Sequence, residues 1–495
     1  MFRFRNYFVT RATSHNESTI FTQSGNLKIM EQQRVPIFPR SVKGFYRKIK
    51  SSIVILAYSV YFLLPWLRWE REVGSSQAVI FDIDAHRLDF FDLTIYAQDM
   101  FWVAVFFAFA ALFLFFVTGI AGRVFCGYFC FQTLWTDVFI HIEHWVQGER
   151  PARIKLANSK WTPEKIYKIG LTHLLWLVVA FLTGLAFTLY WGNAPDLIVE
   201  IFTLKAPLVA GVTILFLTAT TYVMAGIARD QVCTYMCPYA RFQSAMFDRE
   251  TIIVAYDSIR GEGANGSHKP SKELIKREKR QEHGYGDCVD CGYCVQVCPT
   301  GIDIRNGLQY QCISCALCID ACNTIMRSVG YPQGLIRYSS EKEAQGEKTR
   351  VIKPKTIAYG MALVFIAGAL IWGLNARTAI ELSVRQVRQP LFVVLSNGDI
   401  QNRYNLKLNN KTDKSIPLNI SLKGLDKYVL DLGRHKNVKL APSSSLTLHI
   451  NIRLSPEFII KENQDFEFVI QNPNNKDSSW TQKANFSAPH KRNRK

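Results

Sequence analysis

Residues 288–299 read CVDCGYCVQVCP, and residues 312–322 read CISCALCIDAC. Both stretches space their cysteines as C-x2-C-x2-C-x3-C. Bacterial ferredoxins with two iron–sulfur clusters use this spacing, and the fourth cysteine of each run binds the cluster held by the other run. The sequence therefore predicts two crossed [4Fe–4S] sites in a ferredoxin-like domain. The expected ligands are Cys288, Cys291, Cys294 and Cys322 at one cluster, and Cys312, Cys315, Cys318 and Cys298 at the other.

Zinc is the alternative metal for paired cysteines. A tetrahedral zinc site needs only two C-x2-C pairs, so it would leave the doubled run unexplained. The chain has 495 residues and twelve cysteines, and no cysteine follows residue 322. Structural disulfides belong to oxidising compartments. Because the topology predicted below puts all twelve cysteines in the cytoplasm or at its membrane edge, their expected role is metal binding or redox chemistry.

Five nearly uncharged apolar runs flank the cysteine-rich stretch. They lie at residues 51–67, 101–121, 168–190, 207–227 and 356–374. At ~1.5 Å per helical residue, each is about long enough to cross the ~30 Å hydrocarbon core of a bilayer. A buried helix of a soluble protein explains one such run but not five. The sequence predicts an α-helical integral membrane protein with about five spans, with no cleavable signal peptide before them.

Charges in the connecting segments predict the orientation of these spans. The leading segment and the loop at 150–168 are basic, whereas the loop at 68–100 is acidic. Because basic loops stay in the cytoplasm, we expect the amino terminus and the cysteine-rich insert there, and the carboxyl terminus outside. The formal net charge of +19 then reflects topology and contact with anionic lipid, and nucleic-acid binding is not expected.

These patterns divide the chain into five predicted parts. They are a basic, partly disordered segment at 1–48, a four-span membrane domain at 49–260, a ferredoxin-like domain with linkers at 261–354, a fifth span at 355–375 and an all-β domain at 376–495. Gly, Ser and charged residues at 261–284 and 339–355 indicate flexible linkers, which would let the ferredoxin-like domain move against the membrane. The alternating runs of the last part are typical of an immunoglobulin-like sandwich.

Two more cysteine pairs end the second and fourth apolar runs. Residues 119–130 read GIAGRVFCGYFC, and residues 226–237 read GIARDQVCTYMC. The two stretches share the pattern G-I-A-x4-C-x-Y-x-C, which indicates an internal repeat. The matching cysteines are Cys126 and Cys130 in the first stretch, and Cys233 and Cys237 in the second.

The repeated pairs are candidate copper and redox residues. On a continuous helix, cysteines four positions apart share a face, so both sulfurs of a pair can reach one metal ion or each other. Soft thiolates select copper(I), and the neighbouring Arg123 and Arg229 are expected to lower the thiol pKa. The alternative is that the four cysteines are small buried side chains near helix ends. Weaker candidate ligands are His141, His144, His173 and Met236.

The chain resembles the family of cytochrome c oxidase accessory proteins known as CcoG, FixG or RdxA. The resemblance rests on GRVFCGYFCFQTLWTDVF, DQVCTYMCPYARFQSAMFD, the cysteine-rich stretch and GYPQGLIRY. It implies a multi-pass protein of the bacterial inner membrane with a periplasmic C-terminal domain. It also implies an oxidoreductase, a cupric reductase that makes copper(I) for maturation of cbb3-type cytochrome c oxidase.

Carried over residue by residue, the resemblance assigns the eight insert cysteines to the two [4Fe–4S] clusters. It assigns a catalytic, copper-binding role to Cys126, Cys130, Cys233 and Cys237. One departure is Phe131, where the family usually has proline after the first pair, whereas Pro238 follows the second pair. The local turn at the first pair is therefore the less certain of the two.

The expected partners are a cytoplasmic electron donor, oxidase assembly factors or a copper chaperone, and the lipid bilayer, with a homodimer left open. Two alternative functions remain. One is a quinol-linked electron carrier, in which the spans hold a quinone. The other is an assembly scaffold whose clusters sense redox state. Copper binding by the purified protein separates the first function from the quinol-linked alternative, and loss of oxidase assembly with normal copper reduction would favour the scaffold.

Overall fold

The computed structural model describes residues 37–70, 75–83, 87–96, 99–269, 271, 276–344, 346–376, 378–412, 414–433, 438–442, 444–459, 461–473 and 475–489. Most of the predicted basic segment, 1–36, lies outside the described residues. The chain forms two compact units. The first contains the described residues of Met1–Leu63, Phe106–Thr188 and Glu200–Ala367, and the second those of Leu64–Val105, Leu189–Val199 and Gly368–Lys495.

Helices make up most of the first unit. In chain order the α-helices are α1 (Phe45–Leu63), α2 (Met100–Ala121), α3 (Val124–Tyr128), α4 (Phe131–Gln147), α5 (Arg150–Asn158), α6 (Pro163–Thr188), α7 (Ala194–Phe202), α8 (Leu208–Thr221), α9 (Arg229–Gln231), α10 (Pro238–Met246), α11 (Ser258–Glu262), α12 (Arg277–Glu282), α13 (Tyr293–Gln296), α14 (Leu317–Ser328), α15 (Glu341–Ala344) and α16 (Pro354–Asn375). Two π-helical turns, Tyr222–Ala228 and Val232–Met236, flank α9.

Five helical segments are long and apolar enough to cross a membrane, which confirms the predicted number of spans. They are Phe45–Trp66, Met100–Ala121, Pro163–Trp191, Leu208–Met236 and Pro354–Asn375. The second is apolar along its whole length, and its most apolar stretch is not buried inside the protein. Large side chains such as Phe106 and Phe107 are exposed on it. A helix that is apolar on all sides and uncovered by protein is stable only in hydrocarbon.

The cysteine-rich insert folds around a two-stranded sheet. Strand β4 (Ile253–Tyr256) pairs antiparallel with β5 (Ile336–Ser339), and both cysteine runs lie in the chain between them. Strand β4 precedes residue 261, where the ferredoxin-like domain was predicted to begin. The folded insert therefore includes residues from the predicted membrane domain at 49–260. The core beneath the sheet contains Val254, Met326 and Leu335, each no more than 2% exposed.

The predicted flexible linker at 261–284 is folded in its described part. Helix α12 lies in this segment, and its Arg280 is completely buried. The Arg280 guanidinium donates hydrogen bonds to the carbonyl oxygens of Gly286 and Cys288, at 3.0 and 2.9 Å. The prediction of a flexible linker is therefore wrong here. Arg280 looks like a solvent-exposed charge in the sequence, but in the fold it is buried and donates to the backbone carbonyls of Gly286 and Cys288, a predicted cluster ligand.

The insert is fixed to the first span by a carboxylate. Asp320 lies in α14 and accepts hydrogen bonds from the backbone N–H groups of Tyr46 and Arg47, at 3.3 and 2.8 Å. These are N–H groups of the first turn of α1, which have no partner within the helix. A Cβ atom on Gly44 would lie 2.1 Å from the Asp320 side chain, so the close approach requires glycine. These contacts do not support the predicted movement of the insert against the membrane.

The second unit contains most of the strands. The strands of the protein are β1 (Val79–Asp82), β2 (Arg87–Phe90), β3 (Leu93–Tyr96), β4, β5, β6 (Ile380–Gln386), β7 (Val393–Val394), β8 (Ile400–Asn410), β9 (Ile416–Lys423), β10 (Val429–Asp431), β11 (Val438–Leu440), β12 (Ser445–Leu454), β13 (Asn463–Asn472) and β14 (Asn475–Ser487). Strands β1, β2 and β3 form a small antiparallel sheet within this unit.

Strands β6 to β14 form the predicted sandwich. One sheet has the order β10-β12-β8-β6 with β7 beside β8, and the other has the order β11-β9-β13-β14. Alternate residues such as Leu406 and Leu408 on β8 and Phe466 and Phe468 on β13 are at most 2% exposed. This period of two buries one face of each sheet in a common core, as in immunoglobulin-like domains.

Candidate metal and redox site

Cysteines gather around two neighbouring cavities in the first unit. The inner cavity is bounded by Cys298, Cys312, Cys315 and Cys318, and the outer cavity by Cys288, Cys291, Cys294 and Cys322. Cys294 borders both, so the cavities share a wall. This is the crossed grouping that the spacing predicts, in which the fourth cysteine of each run joins the other site. Of these eight cysteines, Cys291 alone is exposed.

The two ligand loops have the same backbone conformation. Asp290 and Gly292 in the first loop have φ values of 46° and 62°, and Ser314 and Ala316 in the second have 54° and 60°. Each residue pair takes the same positions relative to the first two cysteines of its run. Left-handed backbone is costly for residues other than glycine, so it persists where function requires it. Turns that mix left- and right-handed residues form concave sets of N–H groups that bind anions and iron–sulfur clusters.

The donor set fits iron–sulfur clusters better than zinc. Within the described ranges, no group of three or more His, Cys, Asp or Glu side chains is arranged to hold a single metal ion. Tetrahedral zinc draws its sulfurs to ~2.3 Å, whereas a four-iron cluster spreads its thiolates over several iron atoms. Two crossed sets of four cysteines, with Cys294 on the wall that the cavities share, are therefore a cluster-type donor set.

Changing Cys298 tests the crossed assignment. We expect Cys298→Ala to damage the cluster of the inner cavity, although Cys298 belongs to the first cysteine run, because its thiol faces the second run. Anaerobic protein should fall from about eight iron atoms per chain towards about four, with the electron paramagnetic resonance signal of the other cluster retained. Loss of only the cluster bound by Cys288, Cys291 and Cys294 would show that the assignment is wrong.

The membrane-edge pairs do not lie on continuous helices, so the predicted shared helical face is wrong. Cys126 lies in α3, but Cys130 is extended, with φ −66° and ψ 127°, and precedes α4. Cys233 lies in a π-helical turn, and Cys237 is likewise extended, with φ −78° and ψ 111°, before α10. Phe131 and Pro238 occupy equivalent first positions of the next helix.

The two copies of the repeat nevertheless share one backbone hydrogen bond at the second cysteine of each pair. The N–H of Cys130 donates to the carbonyl of Phe125 at 3.0 Å, and that of Cys237 donates to the carbonyl of Val232 at 2.8 Å. Each bond reaches back over the same number of residues. The turn at the first pair therefore matches that at the second, and the uncertainty raised by Phe131 is resolved. Proline is favoured at this first helical position because the N–H that it lacks would have no partner within the helix, but it is not required.

The first pair packs directly against the inner cavity. A Cβ atom on Gly127 would lie 2.8 Å from the carbonyl oxygen of Ile313 and 2.9 Å from the Cα atom of Cys315. The Tyr128 hydroxyl donates to the Cys315 carbonyl at 3.2 Å. Cys126 packs against the buried cluster that contains Ile313 and Cys315. Helix α3 and the second ligand loop are thus in backbone contact.

Burial has a larger effect on the pKa of the Cys126 thiol than the neighbouring Arg123 has. It raises the pKa of Cys126 to about 12, whereas the hydrogen bond with Gln243 and the charge of Arg123 oppose this only in part. Arg123 acts in the predicted direction and lowers the thiol pKa, but burial raises this pKa by more, so the net shift is upward. Arg123 also donates to the carbonyl oxygens of Tyr310 and Ala240. A metal that binds Cys126 must displace its proton, so binding should weaken at lower pH.

The second pair reaches the same region through another cavity. Cys233 lines it together with Thr300 and Ile313, and both of these also border the inner cavity. Cys130 lies within electrostatic range of both Cys126 and Cys233, and Cys237 within range of Cys233. Cys126, Cys130 and Cys233 therefore lie in one region and Cys237 lies beside Cys233, although within the described residues the four thiols do not form a single-ion site.

The weaker candidate ligands have other surroundings. The His173 ring is 2.9 Å from the Tyr222 hydroxyl, and His144 is 2.8 Å from the Pro39 carbonyl oxygen. His141 lies against Arg47, and Met236 is 64% exposed. Arg229, which was expected beside the second pair, pairs with Glu143 and stacks on Trp176. None of these residues joins the four thiols among the described contacts.

Sequence reasoning missed the residues that hold the site together. Gly127 and Tyr128 correspond in the repeat to Thr234 and Tyr235, yet Tyr128 is buried and Tyr235 is 69% exposed. The sequence difference between Gly127 and Thr234 was the available signal that the first copy of the repeat, but not the second, packs closely against another segment. Asp320 gave no signal, since a single acid between two cysteine ligands reads as a solvated charge.

Comparison with known proteins gives two matching families. Residues 228–341 match the family described as "4Fe-4S dicluster domain". Residues 370–489 match the family described as "IG-like fold at C-terminal of FixG". The crystal structure of a FixG-related protein from Vibrio parahaemolyticus aligns with 22% of this chain and 97% of its own, at 22% identity and a TM-score of 0.21.

Full-length relatives cover most of the chain. Protein RdxA of Cereibacter sphaeroides is 42% identical over 79% of this chain and 83% of its own length. Protein RdxB of the same organism is 41% identical over 81% and 85%. Nitrogen fixation protein FixG of Rhizobium meliloti is 34% identical over 92% and 94%.

Proposed function

We propose, since this chain belongs to the FixG/RdxA family of membrane iron–sulfur proteins, that it passes single electrons through two clusters to copper(II) at the membrane edge. Its product is copper(I) for maturation of a cbb3-type oxidase. The cluster ligands are the crossed sets of the inner and outer cavities. The copper ligands come from Cys126, Cys130, Cys233 and Cys237.

One observation carries the proposal. The backbone of α3 at Gly127 touches the ligand loop at Ile313 and Cys315, and Cys126 packs against that loop. On the other side, Cys233 shares a cavity with Thr300, whose hydroxyl lies 3.3 Å from the Cys298 sulfur. Both membrane-edge pairs therefore approach the inner cavity. This position suits residues that receive electrons from a cluster, and it would be accidental for cysteines that only fill space.

The relay has a direction that follows from exposure. Cys291 is the exposed cysteine of the outer cavity, whereas Cys312 and Cys315 of the inner cavity are buried. A soluble donor can therefore approach the outer cluster, and the inner cluster is the one beside the copper residues. When bound, each cluster supplies one electron at a time, and one electron converts one copper(II) ion to copper(I).

The protein residues make copper reduction favourable by preferring the product. Thiolates are soft ligands and bind copper(I) more strongly than harder ions, which raises the tendency of bound copper to accept an electron. The thiols release their protons when copper binds. Because the four thiols are neighbours that do not yet form a single-ion site, we propose that copper itself draws the two pairs together.

The proposed location is the bacterial inner membrane, with the clusters cytoplasmic and the sandwich periplasmic. The basic loop at 150–168 and the acidic loop at 68–100 support this orientation through the positive-inside rule. The proposed partners are a cytoplasmic electron donor and, on the copper side, oxidase assembly factors or a copper chaperone.

Anaerobic titration of the reduced protein with copper(II) tests the function. Each copper(II) ion added should oxidise one cluster equivalent and appear as copper(I), which a copper(I)-specific chelator takes up from the protein and reports. The two quantities should rise together up to two copper ions per chain, one for each cluster. Cluster oxidation without copper(I), or copper(I) without cluster oxidation, would contradict the proposed electron path.

A separate cavity supports the quinol-linked alternative. It lies beside the inner cavity, because its lining includes Val297 and Pro299, the neighbours of Cys298. His141 and Asp137 also line it. Burial and the neighbouring Arg47 lower the pKa of His141, so its neutral ring can accept a proton of the kind that quinol oxidation releases. Reduction of the clusters by a quinol analogue, without binding of copper, would favour this alternative.

A further inference from the structure

The outer cavity contains a hydroxyl group that no other protein group satisfies. Tyr256 is the last residue of β4, and its side chain lines this cavity together with the four outer cysteines. Its hydroxyl oxygen is buried and has no hydrogen-bond partner in the described part of the chain. Buried polar groups are almost always paired, so an unpaired hydroxyl on this cavity wall is expected to find its partner among the groups that a bound cluster would hold there.

Local packing directs this hydroxyl towards one cysteine. Tyr256 pairs with Ile336 across the sheet, and this pairing fixes the backbone position from which the tyrosine side chain extends. The hydroxyl passes so close over Gly261 that a Cβ atom there would lie 2.1 Å from it. The carbonyl of Gly261 in turn accepts the backbone N–H of Cys288 at 3.0 Å. The phenol oxygen, Gly261 and Cys288 therefore meet at one point on the cavity wall.

We propose that Tyr256 donates a hydrogen bond to the Cys288 sulfur of the outer cluster and thereby raises the reduction potential of that cluster. A phenol keeps its proton at neutral pH, so it can act as a donor. Reduction adds negative charge to the cluster and its thiolates, and a donor to sulfur stabilises the reduced form more than the oxidised form. The inference rests on the ligand assignment in the proposed function.

The inner cavity offers a matched hydroxyl. Thr300 borders that cavity, and its side-chain oxygen lies 3.3 Å from the sulfur of Cys298. Thr300 does not border the outer cavity. Removal of the Tyr256 hydroxyl and removal of the Thr300 hydroxyl should therefore act on different clusters, so each variant is a control for the other.

Potentiometric titration of the full-length protein, followed by electron paramagnetic resonance, tests the inference. Tyr256→Phe should lower the midpoint potential of the outer cluster, with about a tenfold loss of the reduced form at a fixed potential, or ~59 mV for one electron. The inner cluster should be unchanged. In Thr300→Val the outer cluster should keep its wild-type potential. No copper is present, so the readout is independent of copper reduction.

The possible outcomes separate the tyrosine from the proposed function. Normal iron content with an unchanged outer potential in Tyr256→Phe would overturn the inference and leave the cluster assignment intact. Equal shifts of both clusters would also overturn it. Should Tyr256→Phe lose iron, Gly261→Ala gives the second test, because it keeps the phenol but must displace it from its present position over Gly261. That variant should shift the outer potential in the same direction, and no shift would contradict the inference.

Discussion

Replacing Cys233 and Cys237 with serine should lower copper(II) reduction by on the order of 100-fold or more, with both clusters retained. Loss of groups that merely orient metal ligands already costs about 10–100-fold, and serine replaces a soft thiolate with a weak, harder donor of similar size. Neither residue borders the inner or the outer cavity, so the iron content should stay at about eight atoms per chain. Copper stoichiometry and anaerobic copper(I) formation are the measurements.

The matched control is Tyr235→Phe, which changes an exposed residue in the same turn and should leave copper reduction unchanged. The corresponding change at Cys126 and Cys130 should have a similar effect if all four thiols serve one copper ion. A quadruple serine variant with wild-type copper binding and reduction would show that these cysteines only pack, and the quinol-linked function would then be favoured.

Gly127→Ala should slow electron transfer from the inner cluster by about tenfold or more while leaving its iron in place. The new methyl group would lie within 3.0 Å of backbone atoms of Ile313 and Cys315, so α3 and the ligand loop must move apart. Displacement of reacting groups by about 1 Å can cost on the order of 100-fold in rate. Stopped-flow measurement of cluster oxidation by copper(II) gives the rate directly.

Gly119→Ala is the matched control, because a Cβ atom at Gly119 meets nothing within 4 Å. It changes the same residue type a few positions earlier and should leave the rate unchanged. A wild-type rate in Gly127→Ala would mean that electrons reach copper by a path that does not cross the contact between α3 and the ligand loop. Loss of iron in this variant would mean instead that the contact supports cluster binding.

Spacing and periodicity predict the cysteine groups, the candidate spans and the β-domain because each pattern reports a local physical requirement. The cysteine intervals reflect how a short loop wraps a cluster, and they predict which cysteines meet at each cavity. Uncharged runs reflect the thickness of a bilayer, and they predict all five candidate spans. The alternation after the last span predicts the buried faces of β8 and β13.

Contacts between distant segments could not be predicted in the same way. The spacing of Cys126 and Cys130 predicts that both lie on one helix. In the structure Cys130 is extended and separates α3 from α4. Arg280 reads as part of a solvated linker, and its buried hydrogen bonds depend on carbonyls that only the folded loop presents. The pKa of Cys126 depends on burial by the ligand loop, which lies nearly two hundred residues away in the chain.

The bond between Asp320 and α1 has a consequence for biogenesis. The ribosome completes α1 long before it synthesises Asp320, so the first turn of this span begins its existence without its carboxylate partner. Asp320 lies between Cys318 and Cys322, which belong to different cavities, so we expect its position to depend on both of the proposed clusters. Maturation should therefore be ordered, with membrane insertion first, cluster loading second and docking onto α1 last. A chain that misses its iron would remain recognisable to quality-control proteases by an undocked insert.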